Sequence, residues 1–332
     1  MVLRVQDVRL SSLNVNTDLN KSTNPQPLAG GFVEVNAFAK INLLLAVIKK
    51  RNDGYHEIKS IAQGLSLHDS LHISNLGGTK GQVTLEIDMP DNPKFCAEFS
   101  GVFDGSVQKN NLVQKAAHAI MHKHNIVENV HIKLTKRIPI GAGLGGGSSD
   151  AAATILGLTK LFEINESVSS LAELSASIGA DCPVCTLINN NKITFAVGGM
   201  GERLKPLGKH PLCHVVLACP NIHISTAEIY GQIASATNDT VLYNFEKAFA
   251  ENNLSQIAAE FYNQFTPITS GYCKQIPNLI TSFKVNGALN ASMTGTGATV
   301  FAYYENENTA KMACDKLQKI YTDTNFFVTT TI

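Results

Sequence analysis

Residues Pro139 to Asp150 read Pro-Ile-Gly-Ala-Gly-Leu-Gly-Gly-Gly-Ser-Ser-Asp. The residues before them, His131 to Ile138, alternate like a strand. Those after them, Ala151 to about Phe162, carry Ala152, Ile155, Leu158 and Phe162 at helical spacing. A strand that enters a helix through a run of glycines can be built in few ways. Glycine permits a tight turn and a close approach of backbone to ligand. Ser148 or Ser149 is placed to cap the helix, and the free amides at the helix start, backed by the dipole, attract an anion. This is the layout of a phosphate cradle. A purely structural turn needs neither so many glycines nor the paired serines.

Two better-known glycine patterns do not fit. Gly141-x-Gly143-x-x-Gly146 matches the dinucleotide fingerprint, but that site needs a following strand ending in an acid about 20 residues on. Here Glu163 and Glu166 follow the helix in a polar stretch. The common nucleotide-triphosphate loop needs a Lys-Ser/Thr pair after the glycines, and none is there. What remains is a glycine loop whose serine hydroxyls suit phosphate or Mg²⁺.

The chain has 332 residues, enough for two domains. A 44% hydrophobic content favours a folded protein over disorder. Zero net charge gives no support to nucleic-acid or membrane-surface binding. No apolar run has the length of a membrane span. The first residues lack the apolar core of a secretory leader, and Asp7 and Asp18 argue against a transit peptide. The seven cysteines, an odd and scattered set, suit a reducing cytoplasm.

Residues 1–30 read as a flexible arm with a short strand at Val2 to Leu10. Strands are expected at Phe32 to Val35, Ile41 to Ile48, Ile58 to Leu65, Ser70 to Ile73, Gln82 to Ile87, Ile193 to Val197 and His214 to Cys219. Helices are expected at Asn111 to His124, Ser169 to Ile178, Thr226 to Ile233 and Glu246 to Phe261. The end reads strand, helix, strand over Gly295 to Tyr304, Thr309 to Tyr321 and Asn325 to Thr330. This is an α+β pattern with mainly antiparallel sheets. The domain boundary is expected near residue 190, giving 31–190 and 191–332 after the arm.

Several short motifs each allow two readings. Lys40, in Ala39-Lys40-Ile41-Asn42-Leu43, is either a strand-end lysine or one that meets a phosphate. Asp181, in Gly179-Ala180-Asp181-Cys182-Pro183, is either a structural carboxylate or a general base for a hydroxyl. Tyr55 and His56 follow the Asp53-Gly54 turn, either packed on the core or reading a planar ring. Ser292 to Ala298 is a second small-residue turn, either ordinary or close to the glycine loop. Cys182-x-x-Cys185 has the spacing of a redox or zinc motif. It lacks a second pair and follows the expected helix instead of opening one, so buried thiols are the better reading. His118, His122 and His124 read as a solvated helix face.

Together these stretches resemble the GHMP kinases, the group of galactokinase, homoserine kinase and mevalonate kinase. Pro139 to Ser149 resembles the signature loop of that family. Lys40-Ile41-Asn42-Leu43, Gly54-Tyr55-His56, Gly179 to Val184 and Thr294 to Ala298 resemble its branch that phosphorylates a cytidine-diphosphate derivative of methylerythritol. The resemblance covers about Phe32 to the C-terminus.

It implies a two-domain α+β fold. The active site would lie in the cleft between an N-terminal ATP-binding domain and a C-terminal ferredoxin-like domain. It implies transfer of the γ-phosphoryl of ATP, with Mg²⁺, to the 2-hydroxyl of that small-molecule substrate. Asp181 would take the hydroxyl proton, and Lys40 would stabilise the carboxylate and the developing alkoxide. Pro139, Gly141, Gly143, Leu144, Gly145, Gly146, Gly147, Ser148 and Ser149 would hold the triphosphate, with Asn111 and Lys136 on the ATP side. His56 would read the cytosine edge, and Tyr55 and Tyr230 would flank its faces. Asn42, Thr226, Gly295, Thr296 and Gly297 would contact substrate. No metal ligand is assigned, and the expected state is a monomer or weak homodimer. The arm has no counterpart in the family pattern. Asp150 adds negative charge beside the loop and is expected to point away or to help at the helix start. A different acceptor within the family, or a silent nucleotide-binding protein, are the competing functions. Tyr55, His56 and Tyr230 argue against the first, and the joint presence of Lys40 and Asp181 against the second.

Overall fold

The computed structural model describes residues 30–89, 111–222, 224–233, 237 and 240–332. The expected arm, with its strand at Val2 to Leu10, lies outside the described residues apart from Gly30. In chain order the elements are β1 (Phe32–Lys50), β2 (His56–Gly77), β3 (Val83–Asp88), α1 (Leu112–Lys123), β4 (Asn129–Thr135), α2 (Gly146–Leu161), α3 (Val168–Ala176) and α4 (Cys182–Asn191). There follow β5 (Thr194–Gly199), β6 (Arg203–Gly208), β7 (His214–Pro220), α5 (Thr226–Gly231), α6 (Thr240–Ala250), α7 (Leu254–Ala259) and the two-residue β8 (Tyr262–Asn263). The chain ends with α8 (Thr266–Tyr272), α9 (Gln275–Val285), β9 (Asn290–Met293), β10 (Val300–Tyr304), α10 (Glu307–Ile320) and β11 (Thr324–Thr330).

Two sheets result. The first runs β3-β4-β2-β1-β8, with β5 and β6 branching from β2. It therefore continues past residue 190, the expected domain boundary, to Gly208. The second has the order β11-β7-β10-β9 and is antiparallel throughout. With α9 and α10 its chain order is βαββαβ, the expected ferredoxin-like unit.

The strands read separately in the sequence are longer than expected. Phe32 to Val35 and Ile41 to Ile48 form the single strand β1, and Ile58 to Leu65 and Ser70 to Ile73 both lie in β2. The polar residues between those segments stay in the ladder, because β1 and β2 pair along almost their whole length. The helix expected over Glu246 to Phe261 is two, α6 and α7; Asn252 has a φ of +54° between them, and Asn253 caps α7. Gly295 to Thr299 is a turn and the strand starts only at Val300, while α4, β6, α8, α9 and β9 are elements beyond those expected.

The β1–β2 ladder is interrupted by register shifts between Phe38 and Lys40, Asn42 and Leu44, and Val47 and Lys49. Such irregularities bend a strand and re-aim its side chains. Two of them bracket Lys40 and Asn42, which share one face of the strand by its period of two. Most of β1 from Ala37 to Val47 is buried, so this face looks into the protein.

Candidate active site

The glycine loop connects β4 to α2. Gly141, Gly143 and Gly145 have φ values of +69°, +76° and +69°, a conformation that favours glycine. Gly145 is the N-cap, and α2 begins at Gly146. The helix therefore starts earlier than expected, and neither Ser148 nor Ser149 caps it; both lie in its first turn. The unpaired amides belong to the glycines themselves, which leaves no side chain between them and an anion. Pro139 to Ser148 line a cavity of about 430 Å³, together with Asn111, Lys136 and Asp150. Ser149 is the exception among the loop residues. It is fully buried, and its hydroxyl donates to Asn189 Oδ1 at 3.2 Å, away from the cavity.

A second cavity, of about 790 Å³, adjoins the first and shares Gly143, Gly145 and Ser148 with it. Lys40, Asn42, Tyr55, His56, Asp181, Thr226, Tyr230, Gly295 and Thr296 line it, so residues far apart in sequence meet as expected. Lys40 is buried. Its ammonium lies 2.8 Å from Asn42 Oδ1 and 3.2 Å from Asp181 Oδ2, and its amide donates to Leu144 O at 2.9 Å. The Asp181 side chain is 49% exposed and the Lys40 side chain 5%, so the carboxylate is the more open of the two at the cavity.

Asp181 takes this position because it is the N-cap residue of α4, with Pro183 in the helix's first turn. Its side chain makes no capping bond, which leaves the carboxylate for Lys40. Cys182 and Cys185 thus open a helix, contrary to the expectation that they trail one. They are nonetheless poor redox groups. Burial pushes the Cys182 thiol up to about 12 and Cys185 well above its ordinary range.

Asn42 joins the two domains. Its backbone amide donates to Thr294 Oγ1 at 2.9 Å, its Nδ2 to Ser60 Oγ at 2.8 Å, and its Oδ1 accepts from Gly295 N at 3.2 Å. The second small-residue turn also meets the glycine loop directly. A Cβ on Gly143 would lie 3.1 Å from Thr294 O and 3.3 Å from Gly297 O. Gly297 therefore shapes the loop contact and is not among the residues lining the second cavity. Ser60 and Thr294 orient Asn42, and sequence reasoning gave neither of them a role.

At the other end of the cavity the Arg51–Tyr55 turn presents two rings. Asp53 Oδ1 accepts from Tyr55 N at 3.1 Å, and Gly54 has a φ of +87°. Tyr55 is half exposed at the mouth. His56 faces Tyr230 with ring centroids 5.5 Å apart, and Phe265 backs Tyr230 at 4.6 Å. Burial, then the charge of Lys50, its cross-strand partner, holds the His56 imidazole below its ordinary value and hence neutral near pH 7. A neutral imidazole has one donor and one acceptor nitrogen.

Asn111 caps α1 through Val113 N at 2.8 Å while bordering the loop cavity. Lys136 also borders it, but its ammonium is paired with Asp69 and with Asp150, the latter at 2.7 Å. Burial opposes that positive charge, and the Asp150 and Asp69 carboxylates outweigh it and raise the lysine's pKa. Asp150 does not cap the helix: it is buried, its Oδ2 turns to Lys136, and its Oδ1 is without a partner. Burial pushes its carboxyl up to about 7 against the pull of Lys136. No group of three His, Cys, Asp or Glu able to hold a metal occurs among the described residues. Nor is any helix among them long and apolar enough to cross a membrane.

Comparison with known proteins bears on the family and the fold. Residues 111–188 match the GHMP kinases N terminal domain, and residues 245–323 match the GHMP kinases C terminal domain. The chain is 33% identical over 283 residues to the 4-diphosphocytidyl-2-C-methyl-D-erythritol kinase of Lachnoclostridium phytofermentans, covering 85% of this chain and 91% of that one. It is 33% identical over 284 residues to the enzyme of the same name from Bacillus subtilis, covering 85% and 89%. A crystal structure of 4-(cytidine 5'-diphospho)-2C-methyl-D-erythritol kinase superposes with a TM-score of 0.71 at 26% identity, covering 90% of this chain and 99% of that one. Mevalonate kinase from L. major shares the fold, with a TM-score of 0.68 at 14% identity over 93% of this chain and 98% of that one.

Proposed function

The chain belongs to the 4-diphosphocytidyl-2-C-methyl-D-erythritol kinase family of the GHMP kinases. On that premise we propose that it transfers the γ-phosphoryl of ATP to the 2-hydroxyl of 4-diphosphocytidyl-2-C-methyl-D-erythritol, a step of non-mevalonate isoprenoid precursor synthesis. One observation carries the assignment of roles. The Lys40–Asp181 pair stands in a cavity that shares Gly143, Gly145 and Ser148 with the glycine-loop cavity, so an acceptor in one cavity meets a phosphate held in the other.

The loop amides from Gly141 to Ser148 bind the triphosphate, with Pro139 and Leu144 shaping the loop and Asn111 and Lys136 on its nucleotide side. Ser149 supports the loop from behind through Asn189. The cytosine lies between Tyr55 and Tyr230, with His56 on its polar edge. Asn42, Thr226, Gly295 and Thr296 line the path to the reacting hydroxyl, and Gly297 backs it from the loop contact. The hydroxyl oxygen attacks the γ-phosphorus, the bond to the ADP oxygen breaks, and the hydroxyl proton passes to the Asp181 carboxylate. Lys40 offsets the charge that builds on the attacking oxygen. Such transfers depend mainly on positioning and charge.

Mg²⁺ fits this donor set. It commonly keeps its waters and rides on phosphate oxygens with few protein ligands. Ser148, which lines both cavities, would supply a hydroxyl to it. The ion would neutralise charge on the β- and γ-phosphate oxygens. The described cysteines are all free thiols, which supports a cytoplasmic location.

The test is phosphoryl transfer from ATP with Mg²⁺ to the cytidylated methylerythritol, with homoserine, mevalonate and galactose as parallel acceptors. Turnover confined to the cytidylated acceptor, and lost in Asp181→Asn, is the expected outcome. Turnover with another acceptor would sink the aromatic reading, and full activity in Asp181→Asn would sink the base.

A further inference from the structure

Lys136 borders the glycine-loop cavity, yet its ammonium is held by two carboxylates beneath the loop. We propose that Lys136 is a positioning residue that ties the two ends of the glycine loop to one point, through Asp69 and Asp150, and so sets the loop amides for the triphosphate. The proposal rests on the kinase reading only in taking the loop as a nucleotide cradle.

The entry of the loop is fixed by Asp69. Its Oδ1 accepts from the amides of Arg137 and Ile138, the latter at 2.8 Å, where the chain leaves β4. Its Oδ2 takes Lys136. The exit is fixed by Asp150, in the first turns of α2, whose Oδ2 accepts from the same ammonium at 2.7 Å. Between these anchors lies Gly146, the first residue of α2. A Cβ there would stand 3.4 Å from Lys136 Nζ and 3.1 Å from Ile138 Cγ2. The cation therefore lies close to the residue that opens the helix.

A loop this rich in glycine loses much conformational freedom when it is fixed. Donors aimed at an anion act best when they need no rearrangement on binding. A tether at both ends supplies that order. It also explains why a buried lysine with two buried aspartates stands beside an anion site: one contact reaches Asp69, which holds the entry amides from β2, and the other reaches Asp150 on the helix that leaves the loop. Removing Lys136 leaves Asp150 buried without its cation, and removing Asp150 leaves Lys136 held by Asp69 alone, so either change breaks the link between the two ends.

The experiment measures ATP affinity of the full-length protein by calorimetry in the presence of Mg²⁺, alongside thermal unfolding and the acceptor KM. Asp150→Ala removes the exit tether with a residue that makes no contact with nucleotide in this reading. Its ATP Kd should rise about tenfold or more while the acceptor KM stays within about twofold. Asp150→Asn keeps an acceptor oxygen for Lys136 and should restore the wild-type Kd. Lys136→Met should weaken ATP as Asp150→Ala does, and the double variant should be no worse than the weaker single one, because the tether is already broken.

Wild-type ATP affinity in Asp150→Ala overturns the proposal, even where unfolding temperature falls. So does a loss confined to Lys136→Met, which would mean that the ammonium meets the nucleotide directly. If Lys136→Met does not fold, the Asp150→Ala and Asp150→Asn pair decides alone, and equal affinity in the two overturns it. A wild-type chain that binds ATP but phosphorylates no acceptor overturns the acceptor reading and leaves this test intact. One that binds no ATP overturns both.

Discussion

Gly145 and Lys40 are packed so closely that a Cβ on the glycine would stand 2.9 Å from the lysine Cγ. The Gly145 φ of +69° adds a second penalty for any other residue. The loop therefore confines the stem of the lysine that pairs with Asp181. Gly145→Ala is expected to displace the ammonium and lower kcat by about 10²-fold, the scale for losing one preorganised charge contact. A stability loss of about 1–2 kcal/mol should accompany it. Steady-state kinetics and thermal unfolding check this. A kcat near wild type would mean that the lysine reaches Asp181 by another route.

Asn42 carries a different load. It binds Lys40, Ser60 and the Thr294–Gly295 turn, and so connects β1 to the second domain. Asn42→Leu keeps the volume but leaves the Gly295 amide without its acceptor and takes one acceptor from the Lys40 ammonium, while the Ser60 hydroxyl keeps Leu44 O. Buried groups left unpaired cost about 1–3 kcal/mol each. The variant should unfold at lower temperature and show a raised acceptor KM, with ATP affinity much less affected. Equal losses toward both substrates would argue that Asn42 supports the loop instead of the acceptor cavity.

Tyr230 tests the cytosine platform. Its ring is held between His56 and Phe265, so the contribution expected of it is stacking. Base–aromatic stacking is worth about 1–3 kcal/mol per base. Tyr230→Ala should therefore raise the acceptor KM by roughly 5- to 150-fold with little change in ATP affinity. Tyr230→Phe should remain close to wild type. A large defect in the phenylalanine variant would assign the role to the hydroxyl.

The parts of the site legible in the sequence are those built from local pattern. The glycine run between a strand and a helix is one. Lys40 and Asn42 on a shared strand face, and the rings after Asp53-Gly54, are others. The details that escaped depend on contacts distant in sequence or on helix phase. Helix α4 is not legible because Gly179-Ala180 and Pro183 read as a break after α3, whereas Pro183 sits in the first turn of a new helix. Ser149 looked equivalent to Ser148, but one residue along a helix turns a side chain by about 100°, and Asn189 receives it. Asp69 gave no signal, since its partner Lys136 is 67 residues away. Asp150 was noticed as a charge out of place, and only the fold supplies the cation that explains it.

His210 provides a stability test independent of the active site. Its ring is buried against Phe249 and Tyr303, its Nδ1 donates to Pro211 O at 2.6 Å, and its Nε2 accepts from the Tyr303 hydroxyl at 3.3 Å. Burial pushes the imidazole down to about 4, with the Pro211 carbonyl pulling weakly the other way. The ordinary value is about 6.5, so the unfolded chain takes up a proton first as pH falls. The neutral ring's contribution is complete above about pH 6.5 and is lost between there and about pH 4, on the order of 3 kcal/mol in all. His210→Gln removes the titrating group while keeping a donor for Pro211. It should be less stable than wild type at pH 8 and lose less stability between pH 7 and pH 4.5. Carboxylates that titrate over the same range are common to both proteins and cancel in the difference. Parallel unfolding temperatures for the two proteins across that range would show that the His210 proton is not linked to folding.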